Sequence, residues 1–254
     1  MQDFRNRCIE RDFIVGTFAA IPHPVAVEVT AQAGPEFICV DWEHSQISRE
    51  RIEDLLRAAD VHRVPAIVRV PGHAPEAIAA VLDAGAAGVL VPRVSTAAQA
   101  RAAVDATRYP PLGSRGVGPG RASGYGYRVP GYLERANSDL LLAVQIETAD
   151  GLANVDEIAA VDGVDVIFIG PADLSVSIGA TGPAGQEKLH EAIETITAAA
   201  LKAGRAVGIF RPTADDIGHW RGIGISFYLL ASDTMFLGAA VAGGIAKARA
   251  SAET

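Results

Sequence analysis

Eight short apolar runs rich in β-branched residues recur along the 254-residue chain, at 13–18, 37–41, 66–70, 88–91, 140–146, 165–169, 205–210 and 225–230. Each is followed by a stretch whose apolar positions repeat with helical spacing, at 25–33, 49–61, 75–84, 96–107, 151–161, 187–203, 213–221 and 234–250. Continuous apolar runs of this length suit strands buried on both faces of a parallel sheet. Punctuation agrees with the periodicity. Ser48 precedes one helical stretch as a simple N-cap, and Gly85 and Gly204 follow others as C-terminal glycines do.

Strict strand–helix alternation predicts a parallel sheet with outer helices. Eight such units predict closure into one (β/α)₈ barrel spanning 1–254, close to the ~250 residues typical of that fold. An open doubly wound sheet is the competing arrangement, but a Gly-rich dinucleotide turn is missing after the first run. One segment breaks the rhythm. Between Tyr109 and Tyr132 the chain is dense in Gly and Pro and carries Arg115, Arg121 and Arg128. A connection this long inside a compact domain is expected to be functional, against the simpler reading of a mobile surface excursion.

Charge narrows the partners. The formal net charge is −8 and there is no basic run, which argues against nucleic acid. No uninterrupted apolar stretch of the ~18 residues a membrane helix needs occurs, and residues 1–11 carry five charged side chains rather than a secretory signal. The expected location is the cytoplasm. Cys8 and Cys39 form no metal or redox spacing and are expected to be reduced thiols.

In a (β/α)₈ barrel, chemistry gathers at the C-terminal strand ends. Polar residues gather there in this chain: Asp41-Trp42-Glu43-His44, Arg69, Arg93, Gln145 and Glu147, Asp173, Arg211, and Ser232-Asp233. Glu147 and Asp173 follow neighbouring runs. Two carboxylates in an oxygen-rich setting suit a hard octahedral cation such as Mg²⁺ or Mn²⁺, although each carboxylate is equally able to pair with an Arg, and Asp173 to cap a helical turn. Gln145 and Glu147 share one side of their strand. Arg69 offers a fixed cation for a carboxylate or a developing oxyanion, or a salt bridge to Asp41 or Glu43. His44 is a candidate acid/base, Phe210 ends the seventh run as a candidate substrate contact, and His23 is a weaker candidate at the mouth.

These residues together resemble the HpcH/HpaI family of class II pyruvate aldolases. The resemblance runs from about Gly16 to about Met235. It rests on Asp41-Trp42-Glu43-His44, Val68-Arg69-Val70, Leu82-Asp83-Ala84-Gly85-Ala86, Val91-Pro92-Arg93-Val94, Arg108-Tyr109-Pro110-Pro111 with Arg115-Gly116, Gln145-Ile146-Glu147-Thr148 and Phe168 to Ser175. It implies a hexamer, a trimer of dimers, whose last helix swaps between partners. It also implies Mg²⁺, Mn²⁺ or Co²⁺ on Glu147 and Asp173, with pyruvate chelating the metal. Arg69, helped by Gln145, would steady the enolate oxygen, and backbone amides near Ala172 the carboxylate. His44 would move a proton, paired with Asp83 from a neighbouring subunit, while Asp41 supports Arg69 or His44.

The implied reaction is reversible cleavage of a 4-hydroxy-2-oxo acid to pyruvate, or an analogue such as hydroxypyruvate, and an aldehyde. The alternative is a lyase of the same superfamily using the enolate with another electrophile or with decarboxylation. A Schiff-base aldolase needs a lysine aimed into the barrel. Only Lys188, Lys202 and Lys247 occur, all in helical stretches. Trp42, Arg93, Arg211 and 125–128 depart from the family's pattern and are expected to face the aldehyde.

Overall fold

Alternate strand residues point into a barrel, and here those positions carry the apolar layers that fill it. In the computed structural model, which describes residues 2–252, the strands are β1 (Ile14–Ala19), β2 (Phe37–Asp41), β3 (Ala66–Arg69), β4 (Gly88–Val91), β5 (Leu141–Ile146), β6 (Val166–Ile169), β7 (Ala206–Arg211) and β8 (Phe227–Ser232). They pair in parallel and in sequence order, and β8 closes on β1. Phe37, Cys39, Ile67, Ala143, Phe168 and Phe227 belong to the interior cluster, whereas Ile38, Val40, Val68, Val144 and Ile167 pack outward against the helices. At the C-terminal end the same inward rows turn polar, ending in Asp41, Arg69 and Gln145.

The helices are α1 (Gln2–Ile9), α2 (Pro24–Gln32), α3 (Arg49–Val61), α4 (Pro75–Asp83), α5 (Ala97–Thr107), α6 (Val129–Asp139), α7 (Ala149–Ala153), α8 (Val155–Ala159), α9 (Pro171–Ser177), α10 (Gln186–Lys202), α11 (Ile217–Gly222) and α12 (Asp233–Ala252). Every expected strand–helix unit is present. The expected helix over 151–161 is broken at Asn154 into α7 and α8. The expected helix over 213–221 starts only at Ile217, after Asp216 has turned back to bind Arg211.

Three helices lie outside the expected periodic stretches. Helix α1 plugs the barrel floor: Phe4 and Cys8 join the interior cluster, and Phe4 sits 5.6 Å from the Phe37 ring. Arg5 holds Asp165 at 2.7 Å, and the buried Arg108 reaches the same carboxylate at 3.1 Å. Helix α6 ends the long segment after Tyr109, and α9 opens the segment after β6. Cys8 and Cys39 are free and buried, and burial pushes the Cys8 thiol up to about 12.

The long segment is not a loose excursion. Tyr109, Arg115 and Tyr132 are buried, and a 3₁₀ turn at Arg121–Ser123 lies against α4. Helix α12 is the opposite case. Asp233 accepts from the amides of Ala20 and Ile21 at 2.9 and 3.0 Å, fixing its start, and all its later described residues are exposed. Among the described residues, no helix is long and apolar enough to cross a membrane.

Candidate active site

The β2–β3 register sets Asp41 opposite Arg69. Both point inward, and Asp41 accepts from Arg69 Nε at 3.0 Å and Nη2 at 2.7 Å. Burial alone would lower the Arg69 pKa, but the hydrogen bonds and charge of Asp41 more than offset it, so the guanidinium stays ionised. Asp41 Oδ1 also accepts from the backbone amides of Glu43 and His44, each at 3.1 Å. Asp41 therefore supports both Arg69 and His44, the latter through its backbone. The rest of the Arg69 guanidinium lies 4.3 Å from the centre of the Phe18 ring, which packs on Phe210.

Gln145 and Glu147 emerge from the end of β5 on one side. Gln145 Nε2 donates to Glu147 Oε2, and the Arg93 amide donates to Glu147 Oε1 at 2.8 Å. Arg93 makes that bond from a left-handed conformation, φ 53°. Gly170, at the end of β6, is what lets this pair lie where it does. A Cβ there would fall 2.7 Å from both Gln145 Nε2 and Glu147 Oε2. The chain then turns into α9, and Asp173 stands in its first turn without capping it. Asp173 makes no hydrogen bond or ion pair among the described residues, so neither alternative for it, an Arg pair or a cap, is realised.

A cavity of about 300 Å³ opens over these groups, lined by Phe18, Asp41, His44, Arg69, Gln145, Phe168, Gly170, Ala172, Asp173, Phe210, Ser232, Thr234 and Met235 among others. Glu147 lies beneath this lining. Burial raises its pKa to about 7, with the Glu43 and Asp173 charges adding to the rise and the Arg93 amide and Gln145 opposing it. Glu43 is raised in the same direction by burial, opposed by Arg69 and His44. Gln145 Oε1 is buried without a hydrogen-bond partner among the described residues, and Glu43 Oε2, also without a hydrogen bond, has only 3.5 Å ion-pair contacts to Arg69 Nε and His44 Nε2. A buried acceptor left unpaired, Gln145 Oε1, beside a carboxylate that resists ionisation makes a setting a cation would relieve. The described residues hold no cluster of three or more His, Cys, Asp or Glu side chains suited to a metal. The chemistry of the donor set, Glu147 and Asp173 with Gln145 Oε1 nearby, suits a hard cation that takes its remaining ligands from water and substrate oxygens.

His44 reaches the mouth with its ring 59% exposed and Nε2 3.5 Å from Glu43 Oε2. Asp83 is not brought to it within the chain. It ends α4 and binds Arg115 at 2.6 Å, beside a separate cavity. The expectation that Arg93, Arg211 and 125–128 face the aldehyde is not met within one chain, since none of them lines the mouth. The Arg211 guanidinium is drawn onto Asp216, Tyr125 bonds Arg57 and Glu53 on α3, and the Arg93 side chain is exposed. Trp42 packs against the outer core instead. His23 caps α2 through Nδ1 and does not line the mouth. No lysine lines the mouth either; Lys188 donates to the Ile178 carbonyl.

Sequence reasoning passed over Phe18, Gly170 and the Arg93 amide as parts of the site. Phe18 carried a signal, since it shares the inward row of β1. The role of Gly170 depends on the β5–β6 contact and has no signature of its own in the sequence.

Comparison with known proteins places this geometry. The sequence profile described as HpcH/HpaI aldolase/citrate lyase matches residues 15–240. The chain is 38% identical over 235 residues to a hydroxypyruvate/pyruvate aldolase of Roseovarius nubinhibens, covering 92% of this chain and 91% of the relative. It is 39% identical over 210 residues to a 4-hydroxy-2-oxovalerate aldolase of Novosphingobium aromaticivorans, covering 82% of this chain and 80% of that one. Among solved structures, an HpcH/HpaI aldolase/citrate lyase family protein of Burkholderia cenocepacia superposes with a TM-score of 0.93 at 33% identity, covering 98% of this chain and 100% of that one.

Proposed function

Because the chain belongs to the HpcH/HpaI aldolase/citrate lyase family, we propose that it catalyses the reversible aldol cleavage of 4-hydroxy-2-oxo acids to an aldehyde and pyruvate, or a close analogue such as hydroxypyruvate. The observation that carries this reading is the ionised Arg69 fork lining the same mouth as Gln145 and Asp173, with Glu147 buried against Gln145. Cleavage of the C3–C4 bond of a 4-hydroxy-2-oxo acid leaves its electron pair on C3, as an enolate whose negative charge falls on the C2 keto oxygen. A site for that reaction must stabilise charge on one oxygen and move one proton at another.

Glu147 and Asp173 are the residues that would hold a divalent cation such as Mg²⁺, Mn²⁺ or Co²⁺. When bound, that ion supplies Lewis-acid stabilisation of the keto oxygen. Arg69 donates to the same oxygen as its charge grows, held in place by Asp41, and needs no reorganisation to do so. Gln145 fixes Glu147 and leaves its own Oε1 available. The Ala172 amide, in the first turn of α9, has no helical acceptor and suits the substrate carboxylate. Phe18 and Phe210 keep water from the apolar side of the mouth. In cleavage His44 takes the proton of the 4-hydroxyl and the enolate gains a proton at C3 from solvent to become pyruvate; condensation reverses both transfers.

We further assign the assembly as a hexamer in which α12 swaps between partners. Supporting this, an apolar groove of about 850 Å³ lies between α2 and the base of α12, lined by Ile21, Val25, Val29, Leu230 and Phe236. Val241 and Ile245 stand 52% and 47% exposed farther along α12. Asp83 would then meet His44 of a neighbouring copy. The overall reading is tested by supplying a panel of 4-hydroxy-2-oxo acids with Mn²⁺ and following pyruvate release; no release from any of them would overturn it.

A further inference from the structure

Arg115 is an expensive residue to bury where it lies. Its side chain is 0% exposed, and Nε and Nη1 have no hydrogen-bond partner among the described residues. Only Nη2 is engaged, donating to Asp83 Oδ1 at 2.6 Å and to Tyr132 Oη at 3.2 Å. Its guanidinium lies 4.7 Å from the Tyr109 ring centre and 5.7 Å from that of Tyr132, which themselves meet edge to face. Aromatic faces offset part of the desolvation of a guanidinium. A buried ion pair nevertheless adds little stability over an apolar filling of equal volume, and a fork with two idle edges adds less. Stability alone does not account for the arrangement; what it does accomplish is to fix one carboxylate.

The surroundings of Asp83 point the same way. The 118–120 backbone lies directly on it: a Cβ at Gly120 would fall 2.7 Å from the Asp83 carbonyl oxygen, and one at Gly118 3.3 Å from Oδ2. Two glycines thus let the loop close over the end of α4. Asp83 keeps 31% of its side chain exposed, with Oδ2 free of any hydrogen bond among the described residues. One carboxylate oxygen is clamped by Arg115, and the other lies beside Gly118 with no hydrogen bond among the described residues, on a side chain that remains partly exposed.

We propose that Arg115 is a positioning residue for the aldol reaction, acting solely through Asp83, whose carboxylate it clamps so that Oδ2 faces outward toward a neighbouring copy. This rests on the reading of Asp83 as the partner of His44 across subunits. The long Gly- and Pro-rich segment after Tyr109 then has a defined role, because it carries the clamp, its aromatic walls and the glycines that close over it.

The proposal is tested by a double-mutant cycle on kcat in the full-length, Mn²⁺-loaded protein. Arg115→Met is expected to lower kcat by roughly 10–100-fold, the scale of a misplaced acid/base group. Arg115→Lys, which keeps charge but not the fork, should lose less. Placed on Asp83→Asn, either Arg115 change should cost nothing further. If Arg115→Met does not fold, Arg115→Lys carries the cycle. A full additional loss on the Asp83→Asn background, or wild-type kcat in the foldable Arg115 variant, overturns the proposal while leaving Asp83's role intact. Wild-type kcat in Asp83→Asn overturns both.

Discussion

Asp41 grips Arg69 with both carboxylate oxygens, at 3.0 and 2.7 Å, from the position directly opposite it in the β2–β3 register. The guanidinium is aimed before substrate arrives. Removing a preorganised donor to a developing oxyanion costs about 10²–10³ in rate. Arg69→Ala should therefore slow deuterium exchange at the pyruvate methyl group by that factor, and Asp41→Asn by less, since the fork loses its charge partner but keeps a neighbour. Exchange at the wild-type rate in Arg69→Ala, followed by proton NMR, would mean that another group stabilises the enolate.

The strand order and most of this mouth were legible because both depend on local periodicity. Asp41, Arg69 and Gln145 each end an inward row, and a row of period two is readable from sequence. The floor helix α1 was not, because its few apolar residues, Phe4 and Cys8, bury against a barrel that exists only after folding. Arg211 shows the other limit. Its place at the end of β7 was correct, but Asp216, five residues on, competes for the guanidinium and removes it from the mouth. Arg115 was visible as part of a conspicuous segment, yet its burial comes from Tyr109 and Tyr132, which are brought together only by α6.

Gly170 makes a steric prediction. Gly170→Ala brings a methyl group within 2.7 Å of Gln145 Nε2 and Glu147 Oε2, and overpacking of this kind typically costs about 1–3 kcal/mol. Mn²⁺ affinity, read by electron paramagnetic resonance, should fall along with the melting temperature. Unchanged affinity would separate Glu147 from the cation.

On the proposed metal reading, Glu147 sets the sign of the pH dependence. Its folded pKa, about 7, lies above the ordinary 4.5, so the folded protein without metal binds that proton more tightly than the unfolded chain. This contribution to stability is fully present below 4.5 and is lost as pH rises through about 7. A cation competes with the same proton. Apparent Mn²⁺ affinity should rise by up to about tenfold per pH unit below neutrality and level off above it. Chelator should abolish aldol turnover, and Mg²⁺, Mn²⁺ or Co²⁺ should restore it. Full turnover in chelator, or borohydride trapping of pyruvate on a lysine, would sink the metal-dependent route.

His44 should separate turnover from metal binding. Its imidazole is exposed and touches neither Glu147 nor Asp173. His44→Ala is expected to cut aldol kcat by about 10²–10⁴, the range for loss of an acid/base group, with Mn²⁺ affinity little changed. Parallel loss of both, by turnover assay and Mn²⁺ titration, would give His44 a structural role instead.

The barrel floor offers a test independent of chemistry. Asp165 is 4% exposed and receives Arg5 at 2.7 Å, Arg108 at 3.1 Å and the Leu142 amide at 2.9 Å. Removing the carboxylate leaves Arg108, itself 2% exposed, as a buried charge without its counter-ion. Breaking a buried pair from one side costs roughly 3–5 kcal/mol, far more than the pair is worth against an apolar replacement. Asp165→Ala should show that loss in a denaturant melt. The mouth lies at the opposite end of the strands, so kcat measured well below the melting temperature should stay close to wild type. A small stability change would mean that Arg108 finds compensation in the carbonyls of Leu140 and Gly163, which already accept from it at 2.7 and 3.3 Å.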